Sequence, residues 1–214
     1  MKKFVFLGLL AIVGIGFVSY KMTIALFSNT GQSTNNTFTA SEIFPTPTPV
    51  PGQVVINEIY YDVCTPASTC GNNPQNEWLE LYNNTSSDIE ITGWTITDNN
   101  STDTIPVATI SAHSFVIVTP ETHTFDIWSS VPAGQRVILG SNIGNGLADS
   151  GDRVILRNTS SVTVDAMSWN DDNSQLDPPA TDVSKGHSLE RNPVGTDTNT
   201  AADFVDRSTP TPGS

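Results

Sequence analysis

The sequence predicts an all-β fold, a sandwich or barrel of short strands, and three observations carry that expectation. Apolar residues recur with a period of two in short runs, turn-forming clusters separate the runs, and no stretch of about ten residues carries a helical pattern. A parallel α/β sheet is excluded because no crossover helix is available. No period of about 20–50 residues repeats, which argues against propellers and solenoids.

The elements follow in order. Lys2 and Lys3 precede an apolar stretch from Phe4 to Val18, the layout of a secretory signal. That stretch is shorter than the ~20 residues a helix needs to cross a bilayer. Small residues in Thr23-Ile24-Ala25 predict cleavage after Ala25, the alternative being a retained single-pass anchor in residues 1–25. In either case the rest is expected outside the cytoplasm, secreted or at the cell surface. Residues 26–53 form a polar segment ending in the alternating prolines Pro45 to Pro51, which favour extended polyproline II and act as a semi-rigid spacer. A sandwich is expected over 54–208, with 209–214 as a short tail.

Within the sandwich, Val54–Tyr61 is β-branched and aromatic, and Glu77–Tyr82 alternates Trp78, Glu80 and Tyr82 against Leu79 and Leu81. Ile89 and Ile91 take one parity, Trp94 and Ile96 the other. The change falls at Thr92-Gly93 and predicts a bend. Further strands are read at Phe115–Thr119, Gln135–Leu139, Arg153–Leu156, Val162–Trp169 and His187–Arg191, with a weak last one at Phe204-Val205. Asn83–Asp88, Asp98–Asp103, Asp149–Asp152 and Asn158–Ser161 read as turns. Longer loops are expected at 62–76 and 170–186, the second of them mobile.

The chain carries nine Lys and Arg against 22 Asp and Glu, a net charge of −13. Its polarity comes mostly from 22 Ser, 27 Thr and 18 Asn. Cleavage after Ala25 would leave six basic residues against 22 acidic ones, a net charge of −16, with Lys185 the one remaining lysine. Phosphate backbones are held by clustered cations, so nucleic acid and anionic lipid are poor partners, and the acidity reads as a solubility feature. Membrane contact is expected through the N-terminal segment alone, if uncleaved. Cys64 and Cys70 lie six positions apart, and in an exported protein such a pair is expected to form a disulfide that pins a loop. A metal site there would need further soft ligands, and none is near.

Val55-Ile-Asn-Glu-Ile59, Asn76-Glu-Trp-Leu-Glu-Leu-Tyr-Asn83 and Ile89-Glu-Ile-Thr-Gly-Trp-Thr-Ile-Thr-Asp98 together resemble the opening of a bacterial lamin-tail domain. Ile110–Val118, Asp149–Leu156, Ser188–Arg191 and the closing Thr209-Pro-Thr-Pro-Gly213 extend the resemblance, in order, over about residues 54–213. The family implies an immunoglobulin-like sandwich of antiparallel strands. It forms the tail of nuclear lamins in animals and occurs on exported bacterial proteins, often beside hydrolase or nuclease domains. It has no established catalytic residues, so none carries over. The insertion holding Cys64 and Cys70 departs from its basic pattern. Residues Ala25–Thr30 and Asn35–Ala40 are similar, over about 16 residues, to the mature start of camelysin-type surface proteins, which supports cleavage after Ala25.

Candidate chemistry is sparse. His113, His123 and His187 form no metal motif, His113 reading as a turn histidine. The glycine run at 140–151 fails as a phosphate loop because Asp152 stands where lysine is required. Glu58, Glu77 and Glu80 could serve as an acid/base pair, but parity sends Glu77 and Glu80 to opposite faces. They read instead as hydrogen-bonded edge or surface carboxylates. Asp98–Asp103 and the loop with Asp171, Asp172 and Asp177 offer oxygen ligands of the kind calcium uses, without matching the helix–loop–helix template. Among Trp78, Trp94, Trp128 and Trp169, Trp94 resembles the family's core tryptophan and Trp128 is the candidate for stacking on a sugar. The Asn-x-Ser/Thr sequons at Asn35, Asn83, Asn99, Asn100 and Asn158 are expected by chance.

The expectation is thus an exported, non-catalytic module for cell-surface or envelope interaction, adhesion or scaffolding. It would have no catalytic, cofactor-binding or metal residues, and its partner would be an unidentified protein or envelope component. The alternatives are a calcium- or glycan-binding surface domain and a secreted hydrolase with a carboxylate site.

Overall fold

The structure is a computed structural model, and it describes residues 52–214. The expectations for 1–25, and for 26–53 up to Pro51, lie outside the described residues. Twelve strands and two four-residue helices are described: β1 (Val54–Tyr60), α1 (Ala67–Cys70), β2 (Trp78–Asn83), β3 (Ile89–Glu90), β4 (Thr95–Thr97), β5 (Thr102–Thr104), β6 (Thr109–Ile110), β7 (Phe115–Thr119), α2 (Thr124–Ile127), β8 (Arg136–Ile138), β9 (Gly151–Arg157), β10 (Thr163–Asn170), β11 (Ser188–Arg191) and β12 (Phe204–Arg207). A six-stranded sheet runs in the order β12-β11-β1-β2-β7-β8, a four-stranded sheet in the order β10-β9-β4-β5, and β3 pairs with β6. The antiparallel all-β expectation holds for every described strand pair but one, a parallel β7–β8 pair that sets Ile117 against Arg136. The connection between those two strands includes α2 and a 3-10 turn, which gives the chain the length a parallel return needs.

Sequence periodicity missed β5 and β6 for a physical reason. Thr102-Asp103-Thr104 contains no apolar residue, and Thr109-Ile110 is too short to alternate. The turn read over Asp98–Asp103 is therefore only Asp98–Ser101. Asp98 Oδ1 accepts the amides of Asn100 at 2.7 Å and Ser101 at 2.6 Å, a side-chain substitute for the turn's backbone bond. Gly93 adopts φ +77° at the expected bend, a conformation glycine enters without steric cost.

Between the sheets, Val54, Ile56, Ile59, Leu79, Leu81, Val116 and Val118 pack against Ile96, Val154, Leu156, Met167 and Trp169, with Trp94 among them. Each fully buried aliphatic side chain of this kind contributes about 1.5–3 kcal/mol.

The outer face of the six-stranded sheet is also covered, so all seven residues of β1 are buried and the in–out alternation of burial is lost. Three segments make that cover. The loop after β1, closed by a Cys64–Cys70 disulfide with Cα atoms 5.3 Å apart, helps form a second apolar cluster of Tyr60, Val63, Cys70, Trp78, Ile117, Phe125 and Val131. The turn after β11 brings Gly195 onto Tyr82, where its amide donates to Asn57 Oδ1 at 3.1 Å. The last residues, expected as a short tail, lie on the sheet between these two, with Pro210 and Pro212 buried. The 170–186 loop, expected to be mobile, is pinned as well. Leu176 and Ala180 are buried, Ala180 bridges to Trp169, and the Val183 amide donates to the Tyr61 hydroxyl at 3.1 Å.

Because the disulfide loop covers apolar sheet surface, replacing Cys64 and Cys70 by serine is expected to cost roughly 2 kcal/mol from loop entropy. The urea midpoint of the oxidised protein, compared with that of the double variant, checks this.

Candidate functional site

The acidic side chains concentrate the chemistry of the molecule. From sequence the acidity reads as a solubility feature, yet Glu58, Glu77, Glu80, Asp98, Asp152, Asp165, Glu190 and Asp203 are all buried. Strand register gathers three of them in one row. Glu58 on β1 stands opposite Glu190 on β11 and opposite Glu80 on β2. The row occupies central strands, so the reading of Glu58 and Glu80 as edge or surface carboxylates is corrected. A bulge between Ile56 and Glu58 turns Glu58 to the outer face while Ile56 and Ile59 stay in the core.

The closing segment meets this row with hydrogen-bond donors. Thr211 gives its amide to Glu58 Oε1 at 3.1 Å and Oε2 at 3.3 Å, and its hydroxyl to Oε2 at 3.3 Å. Gly213 gives its amide to Glu80 Oε2 at 2.6 Å. Asn57 Nδ2 donates to Glu80 Oε1 at 2.8 Å, and the Ser188 hydroxyl donates to Glu58. Burial pushes the Glu58 carboxyl up to about 7, opposed by the Ser188 and Thr211 bonds and reinforced by the charge of Glu190. Burial likewise pushes Glu80 up to about 8, opposed by the Gly213 amide and reinforced by Glu58. At the β11 end of the row, Arg207 pairs with Glu190.

Glu77 lies apart from Glu58 and Glu80, as parity requires. Its Oε2 accepts the Leu147 amide at 3.0 Å, Oε1 has no partner, and burial pushes the carboxyl up to about 9. The glycine run from Gly140 to Gly151 turns its amides toward protein carboxylates. Gly144 donates to Asp103 at 2.6 Å, Asn145 to Asp98 at 2.8 Å, and Ala148 to Asp152 at 3.0 Å. An amide-lined loop suited to anions is thus filled from within. Asp98 and Asp103 spend oxygens on these amides, and among the described residues no group of three His, Cys, Asp or Glu could hold a metal ion.

A third set surrounds Arg191, which is 1% exposed. Its guanidinium donates to both oxygens of Asp165 at 3.1 and 2.9 Å, to Asp203 at 3.1 Å, and to the carbonyls of Ile56 and Thr196. It also lies 4.5 Å from the centre of the Phe204 ring. Burial pushes Asp165 up to about 6, against the pull of Arg191. Because Arg191 is on β11 and Asp165 on β10, this ion pair joins the two sheets.

The remaining candidates disperse. His113 is exposed in a turn, His123 pairs with Asp126, and His187 pairs with Asp206. Trp78, Trp94 and Trp169 are buried. Trp128, the candidate for stacking on a sugar, is half-buried and packs edge-on against Tyr60 and Trp78 beside the second cluster. At two sequons the asparagine is buried: Asn83 donates to three backbone carbonyls, and Asn158 caps its own hairpin turn. The sequence signal for the buried row was a lone Glu flanked by apolar residues in Ile56-Asn-Glu-Ile59 and Leu79-Glu-Leu81.

The lamin tail domain family profile matches residues 47–171, more than half of the chain. The match spans the strands from β1 to β10 and stops short of Ser188–Arg191 and Thr209–Gly213, where the sequence resemblance was also read. A search of curated proteins found no match to this chain. The largely antiparallel all-β fold is consistent with this match, and the chain belongs to the lamin tail domain family.

Proposed function

We propose that this protein is an exported, non-catalytic β-sandwich module that acts at the cell surface or envelope in adhesion or scaffolding. One observation carries the reading: the carboxylates able to do acid–base chemistry are consumed inside the fold. Glu58 and Glu80 accept backbone amides from the closing segment, and Glu77, Asp98, Asp103 and Asp152 accept them from the 140–151 loop. A general acid or base must reach a substrate proton, and these oxygens are turned to the chain's own backbone. The Cys64–Cys70 disulfide is compatible with an extracellular location. No helix among the described residues is long and apolar enough to cross a membrane.

The test combines location with activity. The protein is expected in the medium or envelope fraction, with a mass two hydrogens below that of the reduced form. A panel of ester, glycoside, phosphodiester and peptide substrates is expected to show no turnover. Turnover that Glu58→Gln or Glu80→Gln abolishes would overturn the reading in favour of a hydrolase.

A further inference from the structure

The row Glu190–Glu58–Glu80 sets like charges side by side on one sheet face, and what covers it is a short segment at the end of the described chain. That segment, 208–214, carries no ionisable side chain. Its hold on the sheet consists of buried Pro210 and Pro212, the Thr211 and Gly213 bonds to Glu58 and Glu80, and the approach of Gly213 to Gln135, Pro132 and Val131. Two of its backbone donors therefore depend on two carboxylates that face each other across adjacent strands.

We propose that segment 208–214 is an ionisation-gated strap, closed over the sheet while the Glu58–Glu80 pair retains a proton and released when both carboxylates are charged.

The charged groups around the pair support this. From β11 comes Glu190, and from β12 comes Arg207, which is engaged with Glu190. On β8, Arg136 occupies the far end of the row beyond Ile117, but its guanidinium is committed to the Val131 carbonyl and the Phe125 ring. At the β11–β12 edge, His187 and Asp206 pair with each other. No described cation therefore neutralises Glu58 and Glu80 directly. Two adjacent carboxylates that cannot both ionise share a proton. Burial raises both groups above the usual carboxylate range, and the strap is one part of the cover that buries them; opening it would hydrate the row, so by linkage ionisation would favour the open strap. The strap amides favour the charged form, but burial is the larger of the opposing influences at both sites. The sign is closed in mild acid and open as pH rises through about 7 to 8.

Amide hydrogen exchange on the intact chain, corrected for intrinsic rates, tests the proposal. Protection at Thr211 and Gly213 is expected to fall about tenfold or more between pH 6 and pH 9, while protection at Val154 and Leu156 in the opposite sheet holds. In the Glu58→Gln/Glu80→Gln variant, strap protection is expected to lose its pH dependence. Equal protection at pH 6 and pH 9 in the unmodified protein would overturn the proposal without any variant having to fold. So would a fall in the strap that only parallels the core amides, or a variant that retains the native pH dependence. None of these readings depends on location or catalysis, so the strap and the proposed function fail separately.

Discussion

Replacing Arg191 by methionine is expected to destabilise the domain by about 3–5 kcal/mol, the usual cost of removing one partner from a buried ion pair. The loss comes from what the substitution leaves behind. Asp165 and Asp203 are each 4% exposed, and without the guanidinium both would be buried carboxylates with no neutralising partner at Arg191. The carbonyls of Ile56 and Thr196 would lose donors as well. Because stabilities of domains fall at about 5–15 kcal/mol, the change should be visible as a fall of roughly 10 °C in Tm. Arg153→Met provides the comparison. Its partner Asp172 is 3.6 Å away and Arg153 is 28% exposed, so its loss should be below about 1 kcal/mol. Equal effects of the two substitutions in thermal or urea denaturation would show that the Arg191 cluster does not join the sheets.

The stability of the whole domain is expected to fall as pH rises from 5 to 9, by several kcal/mol. Glu58, Glu80 and Glu77 have folded values of about 7, 8 and 9 against an ordinary 4.5. Between about pH 4.5 and those values the folded chain holds protons that the unfolded chain has released. Each group's contribution is therefore complete below its unfolded value and is lost as pH climbs through its folded value, at up to about 1.4 kcal/mol per pH unit. Asp165, raised to about 6 by burial against the pull of Arg191, adds loss in the same direction. Asp203 works oppositely. Burial pushes it up, but the Thr198 hydroxyl and amide bring it below its ordinary value, so its contribution is lost as pH falls through that lowered value. The urea midpoint should consequently be highest in mild acid. Glu77→Gln should remove the largest single share of the loss between pH 5 and pH 9, because a neutral amide occupies that site at every pH. A midpoint that is flat or rising over the same interval would contradict the assignment of buried, proton-holding glutamates.

Some of this was legible in residues. The parity of Glu77 and Glu80 placed them on opposite faces, and the structure separates them. The parity change at Thr92-Gly93 located the bend. The short spacing of Cys64 and Cys70 anticipated their bond, and the burial of Trp94 followed from the family resemblance. These features were visible because they are local: side chains alternate along a strand, and a closed loop constrains its two ends. Other features escape the sequence for the opposite reason: the burial of Glu58 and Glu80 on central strands, the packing of Trp128, and the contacts that hold the 170–186 loop. In each case the outcome depends on a partner far away in sequence. Glu58 receives the amide of Thr211, 153 residues later; Trp128 meets Tyr60 and Trp78; the loop is held at Val183 by Tyr61.

By itself, the amino-acid order determined the strand class and the disulfide, because periodicity, turn chemistry and short loops act over a few residues, and its motifs carried the family resemblance. Tertiary structure alone decided which carboxylates are dry. A glutamate facing outward on a strand looks the same in sequence whether water or a returning segment covers it. Only folding lays the segment from Ser208 onward across the sheet and turns an acidic surface row into a buried one.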